Sequence, residues 1–107
     1  MFLNLDISTY YINFQFSNLD GKGDADLLLQ REGFPDETLT IPVNAVVGHV
    51  VQMVGDKKPG PVKVSAKDRT NGNTILIDGD SVHQVEFLDE PTPVYVALGN
   101  GATGKLS

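Results

Sequence analysis

LNLDISTYYINFQF, residues 3–16, alternates apolar and polar side chains, and the alternation changes sides partway along. Leu3, Leu5 and Ile7 are apolar at odd positions, whereas Tyr10, Ile12, Phe14 and Phe16 are apolar at even ones. Alternation with period two marks a half-buried strand, and a slip of one residue moves the whole apolar set to the opposite face. Fourteen residues of straight strand would span ~46 Å at ~3.3 Å per residue. A compact domain of this length is only ~34 Å across. Two arrangements resolve the conflict. Either a bulge at Ser8–Thr9 carries the strand from one sheet to another, or residues 2–8 form an arm that pairs with a neighbouring molecule.

Working outward, SNLDGKGDAD (17–26) has the glycines and aspartates of a hairpin loop, and LLLQR reads as a short buried strand. EGFPDE is a second turn, and TLTIP is a strand stopped by Pro42, which has no N–H for a ladder. In VNAVVGHVVQMVG (43–55) the valines at 43, 46, 47, 50, 51 and 54 follow the spacing of one helical face. With Asn44 as N-cap and Gly55 as terminator, the spacing predicts a helix over 44–54. A strand is the alternative, at the cost of leaving apolar residues on both faces. Beyond the rigid loop DKKPGP, strand pattern resumes in VKVSAKD, NTILIDG, SVHQVEFL and VYVALG. The Asn71-Gly72 pair in RTNGN is a strong hairpin signal. The pattern describes a mainly β fold: a single-domain antiparallel β-sandwich or partly open β-barrel of seven to eight short strands with one short helix. Residues 1–99 form the β-rich domain and 100–107 a polar, Gly-rich C-terminal tail.

Composition narrows the chemistry. The 107 residues include no cysteine, which removes disulfides, thiolate nucleophiles and sulfur-ligated metals. No apolar run approaches the ~20 residues of a membrane-spanning helix, so membrane insertion is not expected. Met1 leads directly into strand pattern without a basic n-region or cleavage site, so synthesis in the cytoplasm is expected. The net charge of −6 opposes general nucleic-acid binding. That charge is segregated, because Lys57, Lys58, Lys63, Lys67 and Arg69 cluster within thirteen residues that hold one acid, Asp68.

No candidate catalytic set emerges. Asp20, Asp24 and Asp26 bring carboxylates together, but Lys22 falls at a ligand-like position and the glycine spacing of a calcium loop is missing. Asp78 and Asp80 read likewise as turn residues. His49 and His83 have no acid or nucleophile at a telling spacing, His49 on the polar flank of the expected helix and His83 in a strand. VGDKKPGP lacks the spacing and the hydroxyl residue of a phosphate-binding loop. No cofactor and no metal are expected. In VKVSAKDR, period two places Lys63, Ser65, Lys67 and Arg69 opposite Val62, Val64 and Ala66. That face is a solvated surface, a guard against edge pairing, or a docking face for an acidic partner.

The resulting expectation is a non-enzymatic structural subunit that works by self-association or by docking into a larger complex. Its most concrete form is a small virion component of a capsid or tail. Leu3, Leu5 and Ile7 on the arm, with Lys63, Lys67 and Arg69 on the basic face, are the candidate interaction residues. The partners are itself or other subunits of an assembly. A monomeric domain binding an anionic ligand or nucleic acid through the basic strand face is the alternative, as is a small acidic inhibitor or antitoxin.

Overall fold

The structure is a computed structural model and describes residues 7–19 and 23–99. Eight strands run in chain order: β1 Ser8–Ser17, β2 Ala25–Gln30, β3 Glu37–Ile41, β4 Val46–Gly55, β5 Val62–Asp68, β6 Thr74–Ile75, β7 His83–Val85 and β8 Pro93–Ala97. They form a three-stranded sheet in the order β4-β1-β8 and a five-stranded sheet in the order β3-β2-β5-β6. β7 pairs with β5 beside β6, so two short strands share one edge of β5. β1 is likewise flanked by two segments on one side. It makes an antiparallel bridge to Leu88 at Tyr11 and then a parallel ladder with β8 from Asn13 to Ser17.

The even positions win in β1. Ile12, Phe14 and Phe16 are completely buried, and the last two rings stack with centroids 4.8 Å apart. From the facing sheet they meet Leu27 and Leu29 of β2, Ile41 of β3, and Val62, Val64 and Ala66 of β5 in one continuous core. Each strand contributes alternate residues, as a half-buried sheet requires. The bulge expected at Ser8–Thr9 is not formed. β1 pairs with β4 without a skip from Ser8↔Gly55 to Ser17↔Val46. The change of face therefore falls where this pairing ends. Leu3 and Leu5, and with them most of the proposed arm 2–8, lie outside the described residues, as does the tail 100–107.

The helix expected over 44–54 is instead strand β4. Val47, His49, Val51 and Met53 oppose the core residues Phe16, Phe14, Ile12 and Tyr10, which commits them to the inner face. Val46, Val50 and Val54 turn outward and stay exposed. Apolar residues on both faces, the feature that argued against a strand, are simply what the molecule has. β-branched side chains fit a pleated surface better than a helix, and the five valines of β4 tip the balance. Asn44 is not a helix cap. It sits at φ 62° in a turn closed by the Ala45 N–H donating to the Pro42 carbonyl, a left-handed position that asparagine tolerates.

The Asn71-Gly72 hairpin joins β5 to β6, with only Gly72 at positive φ. The two-residue turn with both central residues left-handed lies at Asp78-Gly79. There Ile77 and Asp80 exchange bonds of 2.8 and 2.9 Å.

Candidate interaction surfaces

Two faces of the sandwich carry the residues of interest. On the five-stranded sheet, Lys63 and Lys67 project from the outer face of β5 and are exposed. Cross-strand register places Lys67 beside Asp26 and Lys63 beside Gln30 of β2. Arg69, just past β5, reaches back to Asp26 at 3.0 Å and also donates to the Thr40 hydroxyl at 3.2 Å. The hydrogen bond from Arg69, and then that from Thr40, hold the Asp26 carboxyl below its ordinary range. Asp26, Thr40, Lys67 and Arg69 line an open depression of about 510 Å³ together with Leu28, Ser65 and Thr38. Arg69 is engaged by Asp26, and among the described residues Lys63 and Lys67 make no ion pair.

Of the aspartates read as turn residues, Asp20 lies outside the described residues and Asp26 belongs to strand β2. Asp24 accepts the Val43 N–H at 3.1 Å, and Asp26 is held as above. Among the described residues no group of three or more His, Cys, Asp or Glu side chains converges as a metal-binding set. His49 is not on a polar flank. It points inward from β4, where its Nε2 lies 3.1 Å from Glu37 of β3, and Arg31 approaches the other Glu37 oxygen at 3.5 Å. Arg31 also stacks over Phe34, and its Nη1 lies 2.9 Å from the Met53 sulfur. Glu37 opposes Leu29 in the ladder, so this carboxylate lies on the core-facing side of β3, paired with His49 of the facing sheet and with Arg31, which follows β2 in its own sheet. The cluster closes the flank between β3 and β4. Among the described residues no hydroxyl or other nucleophile is bonded to the His49 ring.

The second surface is on the three-stranded sheet. β4 is an edge strand, and β1 is its one ladder partner among the described residues. Proteins usually blunt such edges with lysine, proline, bulges or brevity. β3 is short and bracketed by Pro35 and Pro42, while β8 begins with Pro93 and follows Pro91. β6 and β7 have two and three residues. β4 has ten residues, a ladder without a bulge, and no lysine, arginine, acid or proline. Its outward row is Val46 (58% exposed), Gly48, Val50 (54%), Gln52 and Val54 (64%), with the Gln15 side chain lying across Gly48. Tyr95, 79% exposed, stands on the same face from β8. The valines were expected to be the buried face of a helix. Their uncharged alternation, Val-Gly-Val-Gln-Val, is the signal that would have revealed them.

Of the candidate arm residues, Ile7 is described; it precedes β1 and is exposed. No helix among the described residues is long and apolar enough to cross a membrane. Comparison with family models gives no match to this chain, and no curated protein matches it significantly, so the argument for function rests on these surfaces.

Proposed function

We propose that this chain is a non-enzymatic assembly subunit whose working surface is the β4 edge and the outer face of the three-stranded sheet. One observation carries the reading: the longest edge of the sandwich has none of the protective devices present at the other edges, and its exposed side chains are valines. An open edge offers a row of N–H and C=O groups to an added strand, and exposed valines supply apolar contact beside it. A small capsid or tail component, in which copies must join repeatedly, is the concrete setting proposed.

The alternative, an anion-binding face on β5, is weakened by the engagement of Arg69 with Asp26 and Thr40. Light scattering across a concentration series tests the self-associating form. A mass that rises with concentration and is insensitive to salt supports it, since the edge is uncharged. A constant monomer mass up to millimolar protein refutes it.

A further inference from the structure

The polarity of the β4 edge follows from bonds on the far side of β1. Tyr11 exchanges both backbone bonds with Leu88, and the Ser17 carbonyl accepts from Leu98, so odd residues of β1 point away from β4. Even residues of β1 therefore point toward it, as the Asn18 N–H donating to the Ala45 carbonyl illustrates. Their partners Val47, His49, Val51 and Met53 are thereby used up. Val46, Gly48, Val50, Gln52 and Val54 direct their N–H and C=O groups at the open edge.

We infer that β4 pairs antiparallel with β4 of a second copy about a twofold axis at Val50, fusing two three-stranded sheets into one of six. This rests on the assembly reading above and names its partner and register. An antiparallel partner must oppose outward-pointing residues to outward-pointing residues. Among such registers, only the one centred on Val50 pairs every exposed valine of the strand with a valine: Val46 with Val54, Val50 with itself and Val54 with Val46. Every residue from 46 to 54 is then paired. The turn at Pro42–Ala45 ends the pairing at Val46 and Val54, and the twofold makes the interface isologous. One strand edge buries less than the ~1,200 Å² of a standard interface, so the association is expected to depend on protein concentration.

Cysteine cross-linking reads the register directly, because the chain has no cysteine of its own. A directly opposed, hydrogen-bonded pair has its Cα atoms about 5.5 Å apart, within disulfide range. Val50→Cys under mild oxidation is expected to give a covalent dimer. Val46→Cys and Val54→Cys alone are not, since each lies about 27 Å from its own copy along the ladder. Combining Val46→Cys with Val54→Cys restores the cross-link. Val50→Lys, which sets like charges face to face at an exposed position, is expected to weaken association at least tenfold without unfolding the protomer. If the unmodified chain associates but Val50→Cys fails to cross-link, or Val46→Cys alone cross-links equally well, the twofold is wrong and assembly proceeds through another surface. If the unmodified chain stays monomeric and Val50→Cys does not cross-link, both the twofold and the self-associating reading fall.

Discussion

Asn18 is the buried polar residue in the core of the described chain, and its place explains how two turns are held together. Its side-chain amide donates to the Gly23 and Ile41 carbonyls, each at 3.0 Å, while its backbone bonds Ala45 and Asn44. The side-chain oxygen accepts no bond among the described residues. Asn18→Ala would leave two carbonyls without their donor, which costs about 1–3 kcal/mol. Urea unfolding checks this, and Asn18→Asp, which replaces the donor with a third acceptor, is expected to cost more. Asp26 makes a different contribution. Its folded pKa is depressed below 3.8 by Arg69 and Thr40, so the native state binds fewer protons than the unfolded chain. The stabilisation is therefore complete above the ordinary aspartate range and is lost as pH falls through the lowered value. The gap in denaturation midpoint between the native chain and Asp26→Asn is expected to be fully open at about pH 6 and to narrow as pH falls below the ordinary aspartate range.

At the scale of the element, β4 decides most. A strand with one partner protects alternate amides, whereas a helix protects successive ones. In dilute solution Val47, His49 and Val51 are expected to exchange slowly and Val46, Gly48 and Val50 fast, read by amide hydrogen exchange. Substitution divides the same way. Val51, 5% exposed, packs in the core, and Val51→Ala is expected to cost about 2 kcal/mol. Val50→Ala, one residue away on the outer face, should stay within about 0.5 kcal/mol in the dilute monomer. Equal losses at both positions, or uniform protection along 46–54, would contradict the edge strand.

Across the whole molecule, the two sheets meet in an apolar core and are tied at one flank by Arg31, Glu37 and His49. Glu37 and His49 are partly exposed, so their pairing is worth about 1 kcal/mol or less. A double-mutant cycle of Glu37→Gln and His49→Gln in the dilute protein is expected to return a coupling of that size. The distribution of charge fits the same picture. Charged groups line the outer face of β5 and the loops, whereas Val46–Gly55 carries none apart from an inward histidine. Salt is therefore expected to move binding at the lysine face more than association through β4.

Local alternation alone was enough to mark β1 over residues 10–16, β5 over 62–68 and a two-sided β fold, because period two is a property of neighbouring residues and needs no partner. The Asn71-Gly72 hairpin was legible for the same reason. At 43–54, six valines matched a helical stripe as well as a strand. The ladder with β1 decided between them, because burial of Val47 and Val51 against Phe16 and Ile12 outweighs a weak local preference. Non-local contacts also decided that Arg69 lies on Asp26, 43 residues away, and that Glu37 faces His49 across the sandwich. Spacing along a chain cannot report which strands become neighbours. Nor can it report which strand is left at the edge, and that position, rather than the residues of β4 alone, is what leaves three valines exposed and a row of peptide groups without a strand partner among the described residues.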